Sequence, residues 1–189
     1  MERSAGSIFP KSDSIWKAIN IEPLSESDAR ARTEGGTRIL KSMNADIWLL
    51  QEMAYSSRDL PSGVTMSDVQ NRLAQHMRTL TGSSWDVRCG THGGGLCTMI
   101  RSPLRFEGGS FSTSSRAFGN RVVLADGSKV FIVNVHFMSD EHAKRAAQLI
   151  KSEARNDKVF VGGDFNNGVG QQRYREIDAV NDVFPINMA

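Results

Sequence analysis

The succession of elements along this chain predicts a layered α/β protein built on mixed sheets. Apolar strands alternate with helices of clean period, as in Asp46–Glu52 followed by the stretch around 68–80. Short β-prone runs are also joined through Gly93-Gly94-Gly95 and Asp126-Gly127, which read as hairpin turns. Helical crossovers join parallel strands and tight turns join antiparallel ones, so the two together call for sheets of mixed direction.

At 189 residues, 39% hydrophobic and 23% charged, the chain suits one soluble domain with a sizeable core, spanning 1–189 with a polar, flexible start over 1–13. The formal charge of +2 says little about partners, but its distribution says more. From Arg72 to Arg121 there are seven arginines, no lysine, and only Asp86 and Glu107 as acids. Guanidinium forks suit phosphate, and a solvated arginine-rich face is the equal alternative. Cys89 and Cys97 flank the glycine-rich turn; without a signal peptide they read as ordinary thiols rather than a disulfide or a zinc site. No run approaches a membrane span, so an intracellular protein is expected, or a secreted one whose signal has been removed.

Ile15–Ile21 (IWKAINI) reads as the first strand, with Asn20 a polar residue in an apolar run. The charged segment 22–34 has no clean period. Ile39, Leu40 and Met43 give one face of a short helix stopping at Asn44. Asp46–Glu52 (DIWLLQE) is a strand covered on both faces, closed by Gln51 and Glu52. Ser67-Asp-Val-Gln70 has capping-box spacing, and Val69, Leu73, Met77 and Leu80 carry helical period over 68–80. Strands follow at 85–90, 96–101 and 105–111, then the hairpin 121–125 with 129–137, ending in His136. Ser139 caps a helix with Asp140 and Glu141 in its first turn and an alanine-rich stripe through Ala154. In KVFVGGDFNN, Val159–Val161 form a strand, Gly162 and Gly163 a turn, and Asp164 and Asn166 stand at its rim.

Four strands thus end in polar residues suited to chemistry: Asn20, Glu52, His136 with Asn134 before it, and Asp164 with Asn166. Each has a plain structural alternative. Asn20 also reads as a buried amide, Glu52 as a solvated carboxylate, His136 as a core histidine, and Asp164 with Asn166 as an Asx turn.

Asn at the end of the first strand, LQE after an apolar strand, NVH closing a hairpin strand, and GGDFN after one more helix together resemble the endonuclease/exonuclease/phosphatase (DNase I-like) superfamily. The resemblance runs from about Ile15 to Pro185. It implies a four-layer α/β sandwich, two mixed β-sheets face to face with outer helices, and Mg²⁺-dependent phosphoester hydrolysis, with Mn²⁺ a possible substitute. By the same resemblance Glu52 is the metal ligand, supported by Asn20. His136 contacts phosphate or acts as acid to the leaving oxygen, Asp164 orients the attacking water, Asn166 holds a phosphate oxygen, and Arg116 in SRAFGNR is the arginine preceding the hairpin strand, with Arg121 a rival. The arginine-rich middle tilts the substrate towards nucleic acid, and lipid or inositol phosphates are the alternative.

The family pattern continues past the segment like Asn181–Pro185 into further strands and an Asp-His pair, and no histidine follows His142 here. The reading therefore expects the last strands to be missing and cleavage impaired, or a remnant that binds phosphate or nucleic acid without cutting. It also expects an apolar edge or face to be exposed around residues 85–137, open to a protein partner.

Overall fold

The computed structural model describes residues 31, 35, 38–39, 41–53, 63–90, 95–113 and 116–166, and the backbone of 183–187. The strand expected over Ile15–Ile21, and Asn20 with it, lies outside the described residues. The strands and long helices in chain order are β1 (Ile47–Leu50), α1 (Met66–Thr81), β2 (Trp85–Cys89), β3 (Cys97–Arg101), β4 (Arg105–Thr113), β5 (Ala117–Val123), β6 (Lys129–His136), α2 (Asp140–Ala154), β7 (Lys158–Asp164) and β8 (Val183–Asn187). β1, β3 and β2 form a three-stranded antiparallel sheet. β4 to β8 form a five-stranded sheet in sequence order, antiparallel as far as β6 and parallel from β6 to β8.

Alternation along β6 explains the layering. Phe131, Val133 and Val135 face α2, whose small residues Ala143, Ala146 and Ala147 let the helix lie close to the sheet. Ile132 faces the other way and meets Val122, Leu49 and Ile100 between the sheets. On the far side of the three-stranded sheet, Val69, Leu73 and Met77 of α1 pack on Trp48, Trp85 and Met99. Helix, sheet, sheet and helix make the four-layer sandwich, and burying each such large apolar side chain stabilises it by about 2 kcal/mol. Among the described residues, five strands of one sheet face three of the other. A hollow of about 310 Å³ lined by Ile47, Leu124, Val130, Ile132 and Phe160 opens between them.

Several local readings are corrected. The helix over 68–80 begins at Met66, and its cap is Thr65 rather than Ser67: the Thr65 side chain accepts from the Asp68 amide, and the Asp68 carboxylate accepts from the Thr65 amide at 2.9 Å. With Thr65 as the N-cap, the N3 position that reaches back falls on Asp68, and Gln70 lies two residues further into the helix. Residues 41–43 are helical and Asn44 takes φ 44; of the expected face, Ile39 and Met43 are exposed and Leu40 lies outside the described residues. β5 starts at Ala117, four residues before the predicted hairpin strand, despite its interior glycine. The Phe111 ring lies over Gly119 and closes the gap; a Cβ there would stand 2.1 Å from the ring. Cys89 and Cys97 are not separate thiols. β2 and β3 set them directly opposite, with Cα atoms 4.1 Å apart, and they are joined in a disulfide.

His76 lies on the buried face of α1, and desolvation holds its imidazole below the ordinary value of 6.5. The unfolded chain takes up that proton more readily, so this contribution to stability is present above about pH 6.5 and is lost as pH falls below it. Thermal melts at about pH 7.5 and about pH 5.5 should show a smaller drop in His76→Gln than in the native chain. Equal drops would assign the pH dependence to other groups.

Candidate active site

β6 and β7 run parallel and end together, with His136 registered opposite Asp164. Both glycines before Asp164 are strand residues rather than a turn. Gly163 adopts φ 134 and presses against β6, where a Cβ would come within 2.2 Å of the Val135 carbonyl oxygen. No side chain fits there, so the glycine is what lets β7 stay paired up to Asp164. Asp164 then serves two neighbours. Its Oδ1 accepts the Asn166 amide at 2.8 Å, the Asx turn, and its Oδ2 lies 3.8 Å from His136 Nε2.

Glu52 reaches the same imidazole from the other sheet, with Oε1 3.6 Å from His136 Nε2. The histidine is almost wholly buried, while the two carboxylates are 58% and 50% exposed, so a solvated pair of oxygens flanks one sheltered ring nitrogen. Nδ1 of that ring has no hydrogen-bond partner among the described residues. Arg116 joins the group through its backbone: its carbonyl accepts the His136 amide at 3.0 Å. Its guanidinium makes no ion pair among the described residues. Arg121 is not at this rim; it is tied to Asp157 and to the Glu153 carbonyl beside α2. Glu52, His136, Asp164, Asn166 and Arg116 are therefore gathered at one end of the sandwich.

Backbone strain marks the same place. Among the described residues, five non-glycine residues have positive φ, and three of them are Glu52 (58), Arg116 (56) and Asn166 (49). Such conformations persist only where surrounding structure enforces them, and they cluster at functional sites. For Glu52 the enforcement is visible on both sides. After it, the Met53 amide donates to the Gly95 carbonyl at 2.9 Å. Before it, Gln51 Nε2 donates to Asn134 Oδ1 at 2.7 Å.

Asn134 itself does not face the rim. It is fully buried between the sheets and donates through Nδ2 to the Leu50 and Cys97 carbonyls, each at 2.9 Å. The sequence places it beside His136 among the polar strand ends, and the structure instead buries its amide against the other sheet. Gln51 was overlooked as a functional residue, although it stands inside the LQE run that singled out Glu52.

A family model described as the Endonuclease/Exonuclease/phosphatase family matches residues 31–180. The chain belongs to this family. Its members are hydrolases of phosphoester bonds. None of the curated proteins matches the sequence. Two solved structures resemble the fold, both of TDP2 from Caenorhabditis elegans. The crystal structure of its selenomethionine form is 20% identical with a TM-score of 0.49, and a second TDP2 crystal structure is 19% identical with a TM-score of 0.47. Each covers 79% of this chain, which spans 46% of theirs.

Divalent metal dependence is general in this family. Among the described residues no group of three His, Cys, Asp or Glu side chains is placed to hold an ion. The exposed Glu52 nevertheless suits a hard cation, since Mg²⁺ keeps several waters and takes one or two carboxylates together with substrate oxygens.

Asn134→Leu keeps the volume and removes the clasp between the sheets, leaving one buried and one partly buried carbonyl unpaired. Urea unfolding should show a loss of about 2 kcal/mol. A change within about 0.5 kcal/mol of zero, the usual range for an uninvolved surface position, would mean that the sheets do not depend on it.

Proposed function

We propose that this chain is a divalent-metal-dependent phosphodiesterase acting on nucleic acid. The observation that carries the reading is the meeting of Glu52, from one sheet, with His136 and Asp164, from the other, within 3.6 and 3.8 Å of one imidazole nitrogen. Glu52 would hold Mg²⁺, or Mn²⁺ in its place, with Asn20 beside it. When bound, such a cation supplies Lewis-acid neutralisation of charge on the phosphoryl oxygens.

The chain's own groups account for the rest of an in-line displacement. Asp164 accepts a hydrogen bond from the attacking water and draws off its proton as the new oxygen–phosphorus bond forms. His136, sheltered but open at Nε2 to the rim, donates a proton to the departing ester oxygen as the old bond breaks. Arg116 and the Asn166 carboxamide steady the non-bridging oxygens, where preorganised donors contribute most. Nucleic acid is favoured over lipid or inositol phosphates by the arginines between 72 and 121, several of which lie outside the rim.

Plasmid nicking by the purified chain should depend on Mg²⁺ or Mn²⁺, and His136→Ala should lower it by about 10²–10⁴-fold. Calorimetric titration should show weaker Mg²⁺ binding to Glu52→Gln, which keeps the shape and removes the charge. Equal affinity in the two forms would move the cation away from Glu52, and nicking unchanged in His136→Ala would remove the proton donor from this scheme.

A further inference from the structure

The arginine-rich middle of the chain is sorted by the fold into cations that are neutralised and cations that are not. Arg101 pairs with Asp46 and Arg121 with Asp157. Arg88 and Arg105 instead line one pocket of about 430 Å³ at the side of the sandwich, with Gln70 and Asn71 of α1 opposite. Among the described strands, β2 is the outer one of its sheet and β4 the outer one of the other, so this pocket opens where their edges lie side by side.

Arg88 is held in place rather than loose. Its guanidinium stacks 4.5 Å from the centre of the Phe106 ring and reaches the Ser110 hydroxyl at 3.4 Å. Burial pulls it down from its ordinary value while neighbouring Asp86 acts the other way, yet neither Arg88 nor Arg105 forms an ion pair with any described carboxylate. The side-chain amides of Gln70 and Asn71 likewise make no hydrogen bond among the described residues. Two guanidinium forks and two carboxamides thus converge on one polar, solvent-open hollow, and Asp86 leaves it a net charge of about one positive unit.

Building on the nuclease reading above, we propose that this side pocket is a second phosphate-binding subsite, which takes one phosphodiester unit of a nucleic-acid strand away from the cleavage rim. A single net positive charge matches a diester, which carries one negative charge, better than a monoester or polyphosphate. The pocket's volume exceeds that of a bare phosphate, and the amides offer partners to a sugar or base edge. β2 leads from this pocket towards the rim. Its last residue, Cys89, faces Cys97, whose carbonyl is held by Asn134, so Asp86 lies roughly 10 Å along the strand from that end. A strand bound here would be kept in register with the rim without touching it.

The test is anisotropy of a labelled single-stranded oligodeoxynucleotide with the full chain in EDTA, across a salt series, beside hydrolysis of bis(p-nitrophenyl) phosphate in Mg²⁺. Arg105→Gln and Arg88→Gln should each weaken oligonucleotide binding by about 3–10-fold and lower the salt slope by about one, while the small diester is hydrolysed as before. Arg105 is exposed, so its variant remains informative even if Arg88→Gln disturbs packing. Arg145→Gln, which removes a cation already paired with Glu141, should leave binding unchanged. Native affinity and slope in both Arg88→Gln and Arg105→Gln would overturn the subsite. Equal displacement of the oligonucleotide by inorganic phosphate at matched charge would overturn nucleic acid as its ligand. Absence of small-diester hydrolysis in the native chain would instead overturn the phosphodiesterase reading, with the binding series still deciding the pocket.

Discussion

Among the described residues, the two sheets of this sandwich are joined by polar contacts at Asn134, at Asn120 with Thr98 and at Arg88 with Ser110, and those of Asn134 are the shortest. With no solvent access, it spends both amide protons on the ends of β1 and β3 and its carbonyl on Gln51. Deeper between the sheets the contact is mostly apolar, through Leu49, Ile100, Val122 and Ile132, with one long polar contact from Asn120 Nδ2 to Thr98 Oγ1 at 3.5 Å, and apolar contact is non-directional. Hydrophobic burial would tolerate small slides of one sheet over the other. The amide clasp does not, because buried donors and acceptors must stay paired. Since Gln51 precedes Glu52 and Asn134 is two residues before His136, the contact that sets the register between sheets also sets the distance between the two residues at the rim.

Around that clasp the backbone is bent in ways that ordinary sheet geometry would not favour. Gly163 keeps β7 against β6 to its last residue, and Glu52, Arg116 and Asn166 occupy left-handed conformations. Their cost is met by hydrogen bonds on either side, such as Met53 to Gly95 and His136 to Arg116. The rim therefore sets the exposed side chains of Glu52, Asp164 and Asn166 around a buried imidazole, all on over-determined backbone, the arrangement suited to holding groups in place before a ligand arrives.

Much of this was legible in the chain. The apolar runs and the helical periods of α1 and α2 predict layered α/β with mixed sheets, because these signals are local, whereas the four-layer arrangement and the grouping of Glu52, His136, Asp164, Asn166 and Arg116 are implied by the family resemblance of LQE, NVH and GGDFN. What was not legible depends on contacts made across the fold. Gly162 and Gly163 look like a turn until β6 is seen pressing on them, and Ala117–Gly119 does not look like a strand until the Phe111 ring covers Gly119. The disulfide needed the register of β2 on β3. Gln51 was passed over because a glutamine next to a glutamate has no local signature of an inter-sheet partner.

If the clasp sets the rim, Gln51 and Asn134 act as one unit on the cation that Glu52 is proposed to hold. Mg²⁺ affinity in Gln51→Ala, Asn134→Ala and the double variant, measured by calorimetry under conditions where all three remain folded, tests this most directly. Each single change should weaken binding by about tenfold, as loss of a group that orients a ligand typically does, and the double change should cost little more than either alone. Native affinity in the single variants, or losses that simply add in the double variant, would contradict the account.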